Sequence, residues 1–363
     1  MKELHSILAR LSRPDPAPAG LATLCRVGGS SYRRPGARLL LGGGTRTGSI
    51  SGGCLEDDVL LRGEKVVRSG LAQAVTYDTT AENDLVWGVG LGCHGVVDLV
   101  IERLTDGAGW AECLQGAFER RVDAATAVVF QAGSPAALGT RAALTADGRT
   151  WAHGDGSALA AGLRAALAGK CSQQAQVDGL PGQPWVFFEY MPRPERLLIF
   201  GAGNDAQPLC ELAAGLGYLV EVLDPRPAYA TPERFPAAAS VTAGAPAELA
   251  ARFAADERTA AVVMTHHYVH DRPLLRALLP LPLAYLGLLG PRQRAGKILA
   301  DLAADGFTAT PEMRARLHAP VGLDLGATSP ESVALAILAE ITAVRSGRDG
   351  RPLRERSGTI HGD

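Results

Sequence analysis

Hydrophobic residues in the second half of the chain occur as short runs separated by stretches with helical spacing. The apolar runs predict strands at 196–200, 219–223, 260–264 and 283–288. The intervening stretches predict helices that end at Gly217, lie near 246–254 and cover 272–279. Strands that alternate with helices in this way indicate a parallel sheet with helices on both faces.

The first half has a different pattern. Residues 17–104 contain short apolar segments typical of strands, among them 21–27 and 37–41, and a single helical stretch that follows Cys54. Residues 170–184 are polar and rich in turn-forming residues, which predicts a linker or loop. We therefore expect a mixed α+β domain at 1–184 and a doubly wound domain at 185–363.

Composition excludes several classes of protein. The chain has 363 residues, 47% of them hydrophobic, and a formal net charge of −2, which suits two globular domains and lacks the dense positive charge that nucleic-acid binding needs. No apolar run approaches the roughly 20 residues that span a bilayer. Charged residues interrupt the N-terminal segment, so we expect a cytoplasmic protein rather than a secreted one.

A glycine-rich motif lies between the first strand and first helix of the second half. Gly201-Ala202-Gly203-Asn204-Asp205-Ala206 has the form G-x-G-x-x-A, and Asp224 ends the next strand. Glycines let the backbone approach a pyrophosphate, and the acid can hold a ribose hydroxyl. The motif predicts a Rossmann-like fold with Gly201, Gly203, Asn204 and Asp224 as ligand contacts. Asp205, however, places a negative charge where the pyrophosphate would bind, and the glycines can instead serve only to tighten the turn.

Two cysteines lie in glycine-dense loops of the first half. Cys54 follows Ser51-Gly52-Gly53 at a predicted helix start, where the helix dipole favours a thiolate suited to metal or sulfur chemistry. The acidic residues 56–58 oppose that effect. Cys93 has a similar position in the second loop, beside His94. The alternative is that both are small buried apolar residues.

Cationic side chains accompany these loops. Arg33 and Arg46 flank the first glycine-rich loop, where they can bind an anion such as a phosphate or can be solvated surface residues. His266 follows a predicted parallel strand, at the end where ligands bind in such sheets. It can act as an acid, a base or a ligand, or be a structural histidine.

Seven ordered segments resemble those of the XdhC/CoxI family of xanthine dehydrogenase accessory factors. The resemblance covers nearly the whole chain. The segments are Ser30–Ala37, Gly48–Glu56, Trp87–Cys93, Gly201–Ala206, Met264–His266, Tyr285–Gly290 and His318–Asp324.

This resemblance implies a protein that binds molybdenum cofactor, protects it while its terminal sulfur ligand is installed, and delivers it to a molybdenum hydroxylase. The recipient would be of the xanthine dehydrogenase, aldehyde oxidase or carbon monoxide dehydrogenase type. The cofactor would be molybdopterin, with or without a nucleotide, and Cys54 would contact its molybdenum or sulfur. The resemblance further implies a homodimer and a cysteine desulfurase as a second partner.

Three functions remain open at this point. The first is a non-catalytic carrier and maturation chaperone for molybdenum cofactor. The second is an NAD(P)-dependent oxidoreductase that uses the G-x-G-x-x-A motif. The third is an interaction protein whose glycine-rich loops are purely structural.

Overall fold

The computed structural model describes residues 2–13, 18–29, 31–78, 95–105, 107–134, 137–251 and 254–357. The chain divides into two compact units, one ending at Arg193 and the other beginning at Pro194. None of the helices in the described ranges is long and apolar enough to cross a membrane.

The first unit contains two antiparallel sheets of five strands each. In chain order its elements are α1 (Lys2–Leu11), β1 (Ala19–Gly29), β2 (Arg38–Gly42), β3 (Thr45–Gly48), α2 (Glu56–Ser69), β4 (Gln73–Asp78), β5 (Gly95–Leu104), α3 (Gly107–Glu119), β6 (Ala124–Gln131), β7 (Arg141–Thr145), β8 (Thr150–His153), α4 (Ala160–Gly169), β9 (Gln173–Gln176) and β10 (Trp185–Met191). The strand orders are β3-β2-β1-β5-β4 and β8-β7-β6-β10-β9. This confirms the mixed α+β character predicted for the N-terminal half.

The cores of the first unit follow from the apolar faces of these elements. Helix α2 packs against the first sheet through Val59 and Val66, and α4 packs against the second through Leu163. Helices α1 and α3 bury Leu8 and Trp110 together with residues from strands of both sheets. Each sheet therefore carries apolar side chains on both faces, as a covered antiparallel sheet must.

The predicted linker at 170–184 is only partly a loop. Residues 173–176 form β9, which pairs with β10, and β10 pairs in turn with β6 of the first unit. The division between the units lies at 193/194, so the boundary expected after residue 184 comes too early. The polar residues of this edge strand resemble a loop in sequence because they have no alternating hydrophobic pattern.

The second unit is a six-stranded parallel sheet covered by helices on both faces. Its elements are β11 (Arg196–Phe200), α5 (Ala206–Leu216), β12 (Leu219–Asp224), β13 (Ser240–Ala243), α6 (Pro246–Ala251), β14 (Thr259–Val263), α7 (Tyr268–Leu278), β15 (Tyr285–Leu288), α8 (Arg292–Ala304), α9 (Pro311–Ala315), β16 (Leu317–His318) and α10 (Pro330–Arg345). The strand order is β13-β12-β11-β14-β15-β16. It corresponds to the 3-2-1-4-5-6 order of the Rossmann fold, as predicted.

Two apolar cores lie on opposite faces of this sheet. Helices α5 and α10 cover one face through residues such as Leu209 and Ile337, and α7 and α8 cover the other through Leu275 and Ile298. Alternate residues of each strand supply the two cores, since successive side chains point to opposite faces. This arrangement leaves the carboxyl ends of the strands as the edge at which loops meet.

Candidate functional site

The turn after β11 and the end of β14 meet at the centre of the parallel sheet. In doubly wound sheets ligands bind at this point, where the strand order reverses. Gly201 has a φ of 127°. A side chain there would overlap the carbonyl oxygen of Met264, so the two strand ends can approach this closely only because residue 201 is glycine. The predicted glycine motif therefore lies directly beside the segment that contains His266.

Asp224 ends β12 as predicted, but its carboxylate is directed into the loop. The side chain is fully buried. Its Oδ2 accepts a hydrogen bond from the Ala202 N–H at 2.6 Å, and Arg226 donates from its backbone N–H and its guanidinium at 2.7–2.9 Å. Burial raises the pKa of Asp224, but these hydrogen bonds outweigh it and lower the pKa below its ordinary value. A ribose hydroxyl would have to displace one of these donors.

Two arginines that the sequence interpretation did not select lie beside the glycine turn. The guanidinium carbons of Arg226 and Arg234 are 4.0 and 5.3 Å from the ring centroid of Tyr229. Arg234 also donates from Nη2 to the Ala202 carbonyl and to the Asn204 side-chain oxygen, at 3.2 and 3.0 Å. Asn204, a predicted ligand contact, thus has an internal partner. The position of Arg226 two residues after Asp224 was the available signal in the sequence.

His266 has a backbone conformation that non-glycine residues rarely adopt. Its φ is +61°, in the left-handed region, which costs about 1–2 kcal/mol for an L-residue. Its Nε2 lies 2.6 Å from Oδ2 of Asp205, and Arg294 donates from Nη2 to its carbonyl oxygen at 2.7 Å. The imidazole remains 56% exposed. Contacts from α5 and α8 therefore hold an accessible histidine at the switch point, where the sequence predicted it.

Asp271 lies behind His266 on α7. It is fully buried, and its Oδ1 accepts a hydrogen bond from the Thr265 hydroxyl at 2.5 Å. Its Oδ2 has no hydrogen-bond partner, with Nε of Arg294 at 3.4 Å. Burial raises the pKa of Asp271 despite these neighbours. Asp271 and Arg294 were not predicted, because only the fold brings α7 and α8 to the end of β14.

In the first unit, the glycine-rich stretch from Gly42 to Cys54 forms two separate features. Residues 42–44 make the turn between β2 and β3, all with positive φ. Arg10 of α1 donates to the carbonyl oxygens of Gly42 and Thr45, which fixes the turn from one side. The three glycines of this turn also line a cleft.

That cleft has a volume of about 560 Å³ and includes the predicted residue Arg46. The residues that line it are Pro18, Leu41, Gly42, Gly43, Gly44, Thr45, Arg46, Leu60, Glu64, Val67 and Arg68. Volumes of this size accommodate small organic ligands. Two arginines at an apolar cleft suit a ligand that has both an anionic group and a flat organic body.

Cys54 lies on the loop that leads into α2 and is exposed. Ser51 organises this loop, because its hydroxyl accepts hydrogen bonds from the N–H groups of Gly53 and Leu55 at 3.0 and 3.2 Å. Glu56 in turn accepts from the Ser51 N–H at 3.0 Å and from the Ser51 hydroxyl. The predicted site residues Ser51, Gly52, Gly53 and Cys54 therefore form one continuous loop.

Glu56 has a different role from the one expected of it. The sequence interpretation treated it as a charge that opposes a thiolate at Cys54, whereas the structure buries it as the acceptor that holds the loop. Burial raises the pKa of Glu56, but hydrogen bonds from Ser51 and Ile50 outweigh this effect and lower the pKa below its ordinary value. The spacing of Glu56 five residues after Ser51 gave no local signal of this contact.

We expect Glu56→Gln to destabilise the protein by about 1–3 kcal/mol at pH 7, because one charged acceptor of several hydrogen bonds is lost. A carboxyl group whose pKa is lowered by folding stabilises the protein at pH values above its pKa in the unfolded state. That contribution disappears as pH falls through its pKa in the folded state. The difference in free energy of unfolding between wild type and Glu56→Gln, measured by urea unfolding, should therefore be largest at pH 7 and shrink below about pH 4. Glu64→Gln, at an exposed position on the same helix, is the control. If Glu56→Gln lost the same stability at pH 7 and below pH 4, the role assigned to Glu56 would be contradicted.

The two predicted features of this stretch are separated along α2. Glu64, which lines the cleft, lies eight residues after Glu56, which is about 12 Å of helix. Cys54 precedes the first turn of α2, whereas the cleft that Arg46 lines contacts α2 between Leu60 and Arg68. Arg33 forms an ion pair with Glu3 of α1, so its predicted contact with an anion would compete with that carboxylate.

Cys54 differs from most of the other described cysteines. Cys25 and Cys210 are buried; burial raises the pKa of Cys25 far above its ordinary value and that of Cys210 to about 11. Cys113 is half-buried, and burial raises its pKa as well. Cys171 is exposed like Cys54. Cys93 and His94, and the glycine loop that contains them, lie outside the described residues.

Three or more metal-binding side chains do not come together anywhere in the described ranges. The contact of Cys54 with molybdenum or sulfur stays a prediction. Thiolates are soft ligands and suit such a contact.

An α+β unit with a glycine-rich loop that contains Cys54, followed by a Rossmann-type unit, agrees with the fold class expected from the sequence. Residues 13–78 match the XdhC and CoxI family, and residues 197–341 match the XdhC Rossmann domain. A protein of Bacillus subtilis named as a probable subunit of xanthine dehydrogenase is 32% identical over 351 residues, which cover 95% of this chain and 98% of that protein. The chain belongs to the XdhC and CoxI family.

Two further relatives extend over most of the chain. The molybdenum cofactor insertion chaperone PaoD of Escherichia coli is 26% identical over 329 residues, 90% of this chain and 83% of PaoD. A crystal structure from Bacillus halodurans, described as a xanthine dehydrogenase, superposes with a TM-score of 0.76 at 28% identity and covers 95% of this chain and 96% of its own. The resemblance seen in the sequence is thereby confirmed.

Proposed function

We propose that this protein is a maturation factor that binds molybdenum cofactor and delivers it to a molybdenum hydroxylase. The observation that carries the proposal is the exposed Cys54 thiol, held on a loop that Ser51 and Glu56 fix at the start of α2. A soft sulfur ligand in a rigid loop can contact molybdenum or its terminal sulfur without a further metal ligand from the protein. We assign no catalytic residue.

The relatives support the same class of function. One is named as a subunit of a xanthine dehydrogenase and another as a molybdenum cofactor insertion chaperone. We infer that the client is an enzyme of the xanthine dehydrogenase type or a related molybdenum hydroxylase. A cysteine desulfurase as sulfur donor, assembly as a homodimer and a cytoplasmic location stay predictions.

The cleft beside the β2–β3 turn is our candidate for the phosphate end of a ligand. Arg46 and Arg68 lie at its edge, and its apolar floor includes Leu41 and Val67. Molybdopterin has a phosphate, which is the group that these arginines can bind. Arg46→Gln should accordingly weaken binding of the cofactor.

The proposal is tested by purifying the wild-type protein anaerobically from cells that make the cofactor. We expect roughly one equivalent of molybdenum and pterin per chain, measured by mass spectrometry and by pterin fluorescence, because a carrier holds its cargo stoichiometrically. Deleting the protein should leave the client enzyme without active cofactor. A wild-type protein that retains no cofactor, together with normal maturation of the client in its absence, would contradict the proposal.

An NAD(P)-dependent oxidoreductase is the second candidate, favoured by the Rossmann strand order and the G-x-G-x-x-A turn. Its substrate pocket would lie at the switch point, with His266 as the available acid or base. Calorimetric titration with NAD and NADP distinguishes it from the carrier, since an oxidoreductase must bind one of the two.

A further inference from the structure

The position at which a Rossmann turn normally receives a pyrophosphate is occupied by a carboxylate of this chain. Asp205 immediately precedes α5, but its side chain forms no cap for the helix. Its Oδ1 lies 2.6 Å from the point that a side chain on Gly203 would occupy. In this motif the second glycine leaves space for the phosphates. Here that space holds the Asp205 oxygen.

The carboxylate is held in this position by the neighbouring strand end. Nε2 of His266 lies 2.6 Å from Oδ2 of Asp205. Arg294 fixes His266 through its carbonyl oxygen and also faces the buried, unpartnered Oδ2 of Asp271.

Asp224, at the position that normally binds a ribose, already forms hydrogen bonds within the chain. Both oxygens of Asp224 are bonded to Ala202 and Arg226 inside the loop. A dinucleotide would thus meet a like charge at its pyrophosphate and no free acceptor at its ribose. A ligand edge with adjacent N–H donors would instead find a carboxylate that can accept two parallel hydrogen bonds.

We propose that Asp205 makes the crevice at the carboxyl ends of β11 and β14 a site for a 2-amino-4-oxopyrimidine ring, which donates its ring N–H and its amino group to the carboxylate. The same carboxylate excludes the pyrophosphate of NAD or NADP. This ring occurs in pterins and in guanine. The assignment to a pterin rests on the proposed function, whereas the exclusion of dinucleotides does not.

The test is titration of the full-length protein with 6-hydroxymethylpterin, guanosine and NAD, followed by fluorescence and calorimetry. We expect the wild type to bind the pterin, and Asp205→Asn to bind it at least tenfold more weakly, because an amide cannot accept two hydrogen bonds from that edge. Asp205→Gly should bind NAD at least tenfold more tightly than the wild type. Glu211→Gln, an exposed carboxylate on α5, is the matched control and should change neither affinity.

A second variant guards against a folding effect at position 205. His266→Ala leaves residue 205 unchanged but removes the imidazole that holds its carboxylate, so affinity for the pterin should fall. If the wild type binds guanosine more tightly than the pterin, and Asp205→Asn loses this binding, the site stands and its ligand contains guanine. Equal pterin affinity in wild type and Asp205→Asn, or NAD binding by the wild type as tight as by Asp205→Gly, would overturn the inference.

These outcomes are separable from those of the proposed function. If the wild type retains molybdenum cofactor and Asp205→Asn binds pterin equally well, the inference about Asp205 fails and the carrier function stands. If the wild type retains no cofactor but binds the pterin through Asp205, the carrier function fails and the binding site stands.

Discussion

Cys54→Ala is expected to lower retention of molybdenum cofactor, or transfer of sulfurated cofactor to the client, by at least tenfold. The thiol is exposed and forms the end of the Ser51–Gly53 loop, so its removal takes away the soft ligand without disturbing packing. Exposed substitutions of this kind usually change stability by less than about 0.5 kcal/mol. The measurement is molybdenum and pterin content of the purified protein, followed by activity of the client enzyme after transfer.

Cys171→Ala provides the matched control, because Cys171 is also exposed and belongs to the same unit. It should retain the cofactor like the wild type. Equal retention and equal transfer by all three proteins would show that Cys54 does not contact the cofactor. Loss in both variants would point to general thiol chemistry rather than to this loop.

Arg141→Met should destabilise the protein by about 3–5 kcal/mol, because it leaves a buried carboxylate without its partner. Arg141 of β7 is fully buried, and its guanidinium donates to Glu102 of β5 and to Thr23 of β1 at 2.9–3.0 Å. Its guanidinium carbon also lies 5.1 Å from the ring centroid of Trp110. The pair joins the two antiparallel sheets of the first unit. Urea unfolding followed by circular dichroism measures the change.

The double variant Arg141→Met with Glu102→Leu should recover much of the lost stability, since both buried charges are then absent. Arg120→Met is the control, because the Arg120–Asp147 pair is about one-third exposed on each side and solvent screens it, so its loss should destabilise the protein far less. A loss below about 1 kcal/mol for Arg141→Met would show that Glu102 finds another partner or takes up a proton.

The four central strands of the second unit were predicted from the sequence, whereas its edge strands β13 and β16 were not. Apolar runs such as 196–200 and 219–223 coincide with β11 and β12, because a strand covered on both faces is apolar at nearly every position. The edge strand β9 escaped prediction, since Gln173–Gln176 is polar and has no hydrophobic pattern. Local patterning thus identifies buried strands and misses exposed ones.

The sequence predicted candidate residues by their place in the chain, and their binding of a ligand stays a prediction. Cys54 lies on a glycine-rich loop and His266 at a strand end, as expected, whereas the cleft that Arg46 lines was not expected. Asp224 was predicted as a ribose contact from its place after the G-x-G-x-x-A motif, and Glu56 only as a negative charge near Cys54; the structure shows both buried with internal hydrogen-bond donors. Charge is visible in a sequence, but the donor that a carboxylate faces is not.

The sequence by itself determined the two-part organisation, the parallel sheet of the second half, the family and the positions of the glycine-rich turns, because each depends on local spacing or on ordered motifs. Only the tertiary structure decided that Arg46 lines a cleft together with residues of α2 and that Asp205 lies over Gly203 against His266. The physical reason is that these relations depend on packing between segments distant in the chain, where side-chain direction and burial, rather than residue type, determine which groups meet.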